Sequence, residues 1–455
     1  MTAPATGGGP THPPEKHGAD AGGPVARALD PGGELRSAAS DCVHCGFCLP
    51  ACPTYQLWGE EMDSPRGRIH LMTQALDGAQ LTAEASAHFD RCLGCMACLT
   101  ACPSGVRYDR LIEAARTWTE EPPPGPSPAP ARSLRDRAVR AAIFAAFPYP
   151  RRLRVLAAPL RGAQWARLDR LAGRSRAAQR LAPELSSALR LAPGNPPGGR
   201  SPGRRAALPG RVPARGQRRA VVGMLTGCVQ QVFFPQVNTA TARVLAAEGC
   251  DVIIPAGQGC CGALSLHSGR VSEAAGFARR TIATFERAGV DAIVVNSAGC
   301  GSAMKEYGRR ISGLAPFAAR VRDVTEVLAG AALPLGPLDL TVAYHDACHL
   351  AHGQRLREEP RQLLGRIPGL RLVELGDSDL CCGSAGVYNL LEPGMARALL
   401  ERKLTRIAET GARVVAAANP GCLLQIARGC RERGLDVAIV HPVELLARAA
   451  DAHQD

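Results

Sequence analysis

The chain has 455 residues, which is enough for two to four domains, and a formal net charge of +13. It contains no run of about 18 apolar residues, so the sequence predicts no transmembrane helix. The Pro- and Gly-rich start of the chain lacks the apolar segment of a signal peptide, so we expect a cytoplasmic protein. Because a reducing cytoplasm keeps thiols free, the 18 cysteines favour metal binding over disulfide bonds.

The N-terminal tail and the middle of the chain have the composition of poorly packed segments. Residues 1–38 combine low hydrophobicity with many Gly and Pro, which predicts a disordered tail. Residues 121–218 are predicted to be an Arg/Pro-rich, partly helical linker. Within 131–219, 21 arginines are accompanied by three acidic residues, a local charge of +18. Such a segment could bind nucleic acid or anionic lipid. A solvated linker is favoured, and we expect no nucleic-acid partner, because no nucleic-acid-binding signature accompanies the charge.

One stretch of this linker has the pattern of an amphipathic helix. In SLRDRAVRAAIFAAF, the apolar residues Leu134, Val139, Ile143 and Phe144 recur at helical spacing. A helix that packs on the protein is the favoured interpretation. A helix at a membrane surface is the alternative, because basic and apolar residues alternate by face.

Residues 39–120 contain the pattern Cys-x2-Cys-x2-Cys-x3-Cys-Pro twice. This run is the signature of bacterial ferredoxins, in which three cysteines bind one [4Fe–4S] cluster and the fourth binds the other cluster. The sequence therefore predicts a dicluster domain with crossed ligands. Cluster 1 would be held by Cys42, Cys45, Cys48 and Cys102, and cluster 2 by Cys52, Cys92, Cys95 and Cys98. A zinc site is the weaker alternative, because it does not require this spacing.

Cations close to the two runs could offset the negative charge of the clusters and their thiolates. The candidates by sequence proximity are Arg66, Arg68, Arg91, Arg107 and Arg110. For each of them an ordinary exposed position is at least equally compatible with the sequence.

From residue 219 onward, β-rich runs such as AVVGML and DAIVVN alternate with helical patterns, which predicts α/β units with mainly parallel sheets. An internal repeat divides this part into unit 1 (219–334) and unit 2 (335–455), each with a Cys-Cys-Gly motif. The repeated cysteines are Cys228, Cys260, Cys261 and Cys300, and then Cys348, Cys381, Cys382 and Cys422. The predicted fold is an α+β multidomain protein, with a helical dicluster ferredoxin-like domain followed by two α/β CCG repeats.

Each repeated cysteine follows a predicted strand, and loops at the carboxyl ends of parallel strands are where such sheets bind ligands. Three loops could therefore converge on one site per unit: a further Fe–S cluster, a zinc ion, a redox disulfide or a substrate site. His345 and His349 flank Cys348 and could be ligands, although satisfied loop histidines are the favoured interpretation. Cys250 and Cys430 fall outside the repeat and are predicted to be buried small hydrophobes.

Several segments around the cysteines are distinctive as whole sequences. They are CVHCGFCLPACPTYQLWGEEMDSPRGRIHLM, RCLGCMACLTACPSGVRYDRLIE, NSAGCGSAMKEYG, YHDACHLAHGQ, DLCCGSAGVYN and NPGCLLQIARG. Together they resemble the iron–sulfur subunit of bacterial glycolate oxidase (glycolate dehydrogenase). The resemblance implies an electron-transfer subunit without catalytic residues of its own. FAD-binding partner subunits would oxidise glycolate to glyoxylate, and electrons would pass to a quinone or another acceptor at the inner face of the cell membrane.

Other functions share parts of this pattern. Lactate and glycerol-3-phosphate dehydrogenases have iron–sulfur subunits of similar architecture. Heterodisulfide reductase-type enzymes, which perform thiol–disulfide chemistry, end each CCG unit with Cys-x2-Cys, but here the later positions are Ala303 and Gln425. This departure disfavours a five-cysteine noncubane cluster and leaves a four-ligand metal site open. The ferredoxin spacing disfavours a zinc- or nucleic-acid-binding protein.

Overall fold

The N-terminal part of the protein is helical. The computed structural model describes residues 28–122, 130–165, 208–310 and 314–453. A 3₁₀ turn spans Glu61–Asp63, and the helices here are α1 (Glu34–Ser40), α2 (Pro53–Trp58), α3 (Pro65–Leu76), α4 (Ala83–Asp90), α5 (Ala97–Ala101) and α6 (Tyr108–Glu120). The prediction of a disordered tail is wrong for its last residues, because residues 34–38 belong to α1. Ala39 of this helix packs with Leu29 in the helical core. Residues 1–27 of that tail lie outside the described residues.

Two of these helices begin where a side chain satisfies a free backbone amide. Ser64 precedes Pro65, the first residue of α3, and its hydroxyl accepts a hydrogen bond from the Gly67 amide at 3.0 Å. Thr82 caps α4 in the same way, accepting from Ala85 at 3.1 Å. The helices then bury one apolar core, whose large members are Ile69, Met72, Leu76, Phe89, Leu111, Ile112 and Trp118. This core supports both cysteine runs from one side.

Two helices of the predicted linker pack on the domains that follow. Helix α7 (Leu134–Ala146) is capped by Ser133 and buries Phe144 against Val387. Helix α8 (Pro150–Trp165) buries Leu153. The packing interpretation of the amphipathic stretch is therefore correct for Phe144, whereas Leu134 is 81% exposed. Residues 123–129 and 166–207 of the predicted linker lie outside the described residues.

The chain then forms two sheets, one in each CCG unit, and their strands are mainly parallel as predicted. The first sheet has the order β1-β3-β2-β4-β5, with β1 antiparallel to β3 and the other pairs parallel. The second sheet, β7-β6-β8-β9, is parallel throughout. The strands are β1 (Arg211–Val212), β2 (Ala220–Leu225), β3 (Cys250–Ile253), β4 (Ala292–Val295), β5 (Val321–Asp323), β6 (Leu340–His345), β7 (Leu370–Glu374), β8 (Val414–Ala417) and β9 (Ala438–Val440).

Helices connect the strands, as parallel pairing requires. In unit 1 they are α9 (Val229–Phe233), α10 (Pro235–Ala247), α11 (Ala263–Leu266), α12 (Val271–Ala288), α13 (Ala298–Lys305), α14 (Tyr307–Arg310), α15 (Ala315–Ala319) and α16 (Val324–Ala329). In unit 2 they are α17 (Glu358–Gly365), α18 (Tyr388–Leu391), α19 (Pro393–Glu409), α20 (Pro420–Arg433) and α21 (Pro442–Ala452), with a π-helical turn at His349–Gly353.

The two CCG units share one hydrophobic core. Helix α10 of unit 1 packs against α21 of unit 2. Their buried residues Leu245 and Leu446 belong to the same cluster as Met224 of β2 and Val342 of β6. Burial of this much apolar surface is the main stabilising term between the repeats. The repeats are therefore fixed relative to each other, and so are the cysteine loops at the ends of their strands.

The glycine of each Cys-Cys-Gly motif is required by the backbone. Gly262 has a φ of +89°, and a Cβ there would lie 2.8 Å from the carbonyl oxygen of Ala274 in α12. Gly383 has a φ of +83°, and its Cβ would lie 2.6 Å from the carbonyl oxygen of Ala396 in α19. Glycine alone accepts this conformation and this approach without strain. The vicinal cysteine pair of each unit is therefore followed by the same type of turn.

Replacing Gly262 by alanine should destabilise unit 1. The left-handed conformation alone costs a non-glycine residue about 1–2 kcal/mol, and the contact with Ala274 adds to this cost. Gly276 in α12 is the matched control, since no atom lies within 4 Å of a Cβ built there and Gly276→Ala should stabilise the helix slightly. Thermal unfolding of both variants, followed by circular dichroism, measures the difference. Equal melting temperatures would contradict this account of the motif.

Candidate iron–sulfur and metal centres

The first cysteine run lines a cavity together with the end of the second run. Cys42, Cys45 and Cys48 share this cavity with Cys102, and Cys98 borders it as well. Cys45 is exposed, whereas Cys42, Cys48 and Cys102 are half-buried. The cavity thus lies at the surface of the protein, and the four cysteines predicted for cluster 1 all face it.

The second run lines a deeper cavity. Cys92, Cys95 and Cys98 share it with Cys52, the last cysteine of the first run, and all four are buried. Each cavity therefore collects three cysteines from one run and the fourth from the other. Each fourth cysteine stands at a helix end: Cys52 is the N-cap of α2, which begins at Pro53, and Cys102 is the C-cap of α5.

The chemistry of the second cavity fits a metal–sulfur cluster. Burial, and then the neighbouring sulfur charges, raise the pKa of Cys95 and Cys98 well above the usual value of a thiol. Four buried thiolates so close together need bound metal cations, and a coordinating metal deprotonates its thiols. The amide of Gly94 donates to Cys92 Sγ at 3.3 Å, the type of hydrogen bond that tunes cluster potentials. Four thiolates at one cavity are the donor set of a [4Fe–4S] cluster.

Two buried arginines lie beside the second cavity. Arg68 is 1% exposed and donates to Asp63 Oδ1 at 3.1 Å and to the His88 carbonyl at 2.6 Å. Arg116 donates to the carbonyls of His267, at 2.6 Å, and Cys92. Burial by itself would raise the pKa of Cys92, but the charges of Arg68 and Arg116, together with hydrogen bonds from the Gly94 amide and the Tyr108 hydroxyl, hold this pKa below its usual value. Both arginines therefore favour negative charge at the cavity.

Sequence proximity identified only some of these cations. Of the five arginines considered, Arg68 lies at the second cavity, and Arg66 lies at the first, donating to the His44 carbonyl at 3.1 Å. Arg91 pairs with Asp63 at 3.3 Å and Arg107 with Asp109 at 2.6 Å. Arg116 was missed, because it stands well beyond the second run and reaches the cavity only through the packing of α6.

In unit 1 the three predicted loops converge. Cys228 follows β2, the pair Cys260–Cys261 follows β3, and Cys300 lies in the first turn of α13 after β4. The sulfurs of Cys228 and Cys260 are 3.8 Å apart. Cys261 is in hydrogen-bonding contact with both Cys260 and Cys300, so the four sulfurs form a connected set. Parallel strands therefore bring four sequence-distant thiols to one edge of the sheet.

Unit 2 repeats this arrangement and adds histidines. The contacts run from Cys348 to Cys381, then to Cys382 and Cys422. Their places also repeat, after β6, after β7 and in the first turn of α20. His349 Nδ1 lies 3.6 Å from Cys348 Sγ. The interpretation of His345 as a loop histidine is wrong, because it is the last residue of β6 and its imidazole lies against the thiol of Cys382.

The remaining cysteines and the fifth positions of the repeats are structural. Cys250 and Cys430 are buried in the apolar cores, as predicted. Ala303 packs in the core of unit 1. Gln425 is buried, and its amide group bonds to Asn389 at 3.1 Å and to the Ala396 carbonyl at 3.3 Å. The positions that hold a fifth cysteine in heterodisulfide reductase-type proteins are thus filled by packing or satisfied side chains.

The second cavity lies next to the cysteines of unit 2. Cys95 packs in one buried cluster with Cys348 and Cys381. The rings of His267, which borders the cavity, and His349 have centroids 4.9 Å apart. These short separations place the dicluster domain and unit 2 in direct contact through their cysteine sites.

Comparison with known proteins identifies the family. Family models match residues 38–106 as a 4Fe-4S dicluster domain, residues 222–305 and 342–427 as a cysteine-rich domain, and residues 135–192 as the linker region of the glycolate oxidase iron-sulfur subunit. The probable glycolate oxidase iron-sulfur subunit of Bacillus subtilis (strain 168) is 36% identical over 426 residues, covering 90% of this chain and 94% of that protein. The chain belongs to the glycolate oxidase iron–sulfur subunit family.

Further relatives agree with this placement. The glycolate oxidase iron-sulfur subunit of Escherichia coli (strain K12) is 34% identical over 438 residues, covering 94% of this chain and 97% of that protein. Lactate utilization protein A of Oceanobacillus iheyensis (strain DSM 14371) is 29% identical over 236 residues, covering half of this chain and 96% of that protein. As a member of the glycolate oxidase iron–sulfur subunit family, the chain is an iron–sulfur electron-transfer component of an oxidoreductase complex. None of the helices in the described residues is long and apolar enough to cross a membrane.

Replacing Arg116 by glutamine should lower the reduction potential of the cluster in the second cavity. Reduction adds negative charge, which the buried guanidinium stabilises, so its removal should shift the potential downward, on the order of tens of millivolts. Arg137→Gln, at an exposed position of α7, is the matched control and should leave the potential unchanged. A redox titration followed by electron paramagnetic resonance (EPR) checks this. An unchanged potential in the Arg116 variant would contradict the electrostatic role.

Proposed function

We propose that this chain relays electrons released by glycolate oxidation. Partner subunits that bind FAD would convert glycolate to glyoxylate, and this chain would pass the electrons to a quinone or another acceptor. The observation that carries the proposal is the pair of adjacent four-cysteine cavities, in a chain that matches glycolate oxidase iron-sulfur subunits over nine-tenths of its length. No residue of this chain is assigned a catalytic role in glycolate oxidation.

The ligand sets follow the two cavities. Cys42, Cys45, Cys48 and Cys102 would hold one [4Fe–4S] cluster, and Cys52, Cys92, Cys95 and Cys98 the other. Bound there, each cluster accepts and returns one electron at a time. Burial of the second set disfavours the more negative, reduced state, and the chain opposes this effect with the amide of Gly94 and the charges of Arg68 and Arg116.

Exposure suggests the order of the relay. Cys45 reaches the surface, and the neighbouring Val43 and Phe47 are 68% and 65% exposed, so the first cavity is where a redox partner would exchange electrons. The second cavity lies between the first cavity and unit 2 and is shielded from solvent. Electrons would therefore pass between the surface and unit 2 through the buried cluster.

We also propose that the chain meets its electron acceptor at the inner face of the cell membrane. Helix α8 buries Leu153 and Ala157 but exposes Val155, Leu156 and three arginines, Arg151, Arg152 and Arg154. The sequence has no acidic residue between Asp136 and Asp169. A surface with exposed apolar and basic side chains suits anionic lipid, where each basic residue contributes about 1 kcal/mol of attraction.

A second candidate substrate is lactate. The half-length match to lactate utilization protein A covers 96% of that relative, so the repeated architecture also occurs in a protein named for lactate. Glycolate is preferred, because the relatives that match this chain over nearly their whole length are named for glycolate oxidase.

Crossed ligation can be tested with single cysteine variants. Cys52→Ala should give the same loss in the EPR spectrum of the reduced protein as Cys95→Ala, because both would belong to the inner cluster. The spectrum of Cys52→Ala should differ from that of Cys45→Ala, which removes a ligand of the cluster in the first cavity. Cys250→Ala, in the apolar core, is the control and should leave both signals intact. A Cys52 variant that instead reproduces the Cys45 spectrum would overturn the assignment.

The substrate and the acceptor can be tested in one assay. The complex co-purified with its flavoprotein subunits should reduce a dye with glycolate faster than with D-lactate or glycerol-3-phosphate, by roughly tenfold or more for the added methyl group of lactate. With a quinone in anionic vesicles as acceptor, the rate should fall at high salt, as electrostatic attachment requires. Faster reduction with lactate would replace the proposed substrate. A rate insensitive to salt and to lipid charge would overturn the electrostatic membrane contact.

A further inference from the structure

The cysteine site of unit 2 contains a buried imidazole that faces sulfur. His345 is 0% exposed, and within the described residues neither ring nitrogen bonds to an oxygen or nitrogen atom, whereas the thiol of Cys382 lies against the ring. A ring nitrogen of His345 and the sulfurs of Cys382 and Cys422 all lie within 4.8 Å of one another. Burying polar atoms unpaired costs on the order of 1–3 kcal/mol each, so a native protein normally provides a partner.

The two repeats differ at this position. His345 stands three residues before Cys348, and the residue three before Cys228 in unit 1 is Leu225. Leu225 packs in the apolar core of its unit. At this position unit 1 therefore has an apolar side chain, whereas unit 2 has an imidazole beside its sulfurs.

We propose that unit 2 binds a metal through the imidazole of His345 and the thiolates of Cys382 and Cys422, with one of the adjoining thiols, Cys348 or Cys381, completing a four-ligand shell. Nitrogen and thiolate donors together suit iron or zinc. At zinc–sulfur distances of about 2.3 Å, the ligand atoms of a tetrahedral site lie about 3.8 Å apart. The nitrogen of His345 and the sulfurs of Cys382 and Cys422 therefore have to approach one another by only about 1 Å to bind the metal. This site is independent of which substrate the complex oxidises.

The surroundings of the site support a metal with anionic ligands. Lys403, one of three lysines in the chain, is 1% exposed, and its ammonium is close enough to Cys381 and Cys382 for their charges to interact. It donates to the carbonyls of Asp377 and Ser378, in the loop that leads to the vicinal cysteines. The Asn419 amide lies 3.8 Å from Cys422 Sγ. A buried cation and an amide donor both stabilise thiolates, which are the forms that bind metal.

The test compares two fully buried histidines. The full chain is purified anaerobically as wild type, His345→Ala and His441→Ala, and its iron and zinc contents are measured. His441 is also 0% exposed, but its Nδ1 accepts from the Val443 amide at 3.2 Å at the start of α21, and it is not part of the group formed by His345, Cys382 and Cys422. His345→Ala should lose the metal held beyond the iron of the two ferredoxin-type clusters, and His441→Ala should retain it. Equal metal content in all three proteins would overturn the proposal.

A measurement on the wild-type protein covers the case in which His345→Ala fails to fold. If the extra metal is zinc, its X-ray absorption spectrum should contain one nitrogen and about three sulfur ligands. If it is iron, pulsed EPR of protein labelled with ¹⁵N-histidine should show coupling to a histidine nitrogen. His345→Cys should keep the metal and lose that nitrogen signal. An all-sulfur coordination shell in the wild type, or wild-type protein without metal beyond the two clusters, would overturn the proposal.

Discussion

The structure depends on one constraint: thiols that are far apart in sequence must meet at the same point. In the dicluster domain, Cys52 and Cys102 each end one cysteine run and face the cavity of the other run. In each CCG unit, three parallel strands end at the same edge of a sheet. The segments that follow these strands contain one cysteine, the vicinal pair and one further cysteine, which meet at that edge. The helical core and the shared core of the sheets hold these segments in register, so cavity geometry and fold stability are linked.

A second constraint is charge. Grouped thiolates are costly to bury, and the protein balances them with buried cations at two places. Arg68 and Arg116 lie at the inner cavity of the dicluster domain, and Lys403 lies beside the vicinal cysteines of unit 2. Both regions are buried and adjoin each other through Cys95 and Cys348. In the proposed relay, an electron that entered at the exposed first cavity would therefore approach buried cations.

The sequence predicted the parts of this arrangement that depend on spacing. The two ferredoxin-type runs, the repeat of the CCG motif and the parallel sheets were all visible as patterns. The positions of Arg116 and His345 were not, because each is created by tertiary packing: Arg116 reaches its cavity from α6, and His345 meets sulfurs from two later loops. The helix over residues 34–38 was missed because its stability comes from packing on the helical core rather than from its own composition.

The central claim is that two [4Fe–4S] clusters lie side by side in adjoining cavities of this chain. Low-temperature EPR of the anaerobically purified, fully reduced protein, together with iron and sulfide analysis, tests it most directly. The account predicts at least about eight irons and eight sulfides per chain, and a spectrum broadened by magnetic interaction between two reduced clusters. A chain that contains zinc without sulfide, or a spectrum of a single isolated cluster, would contradict it.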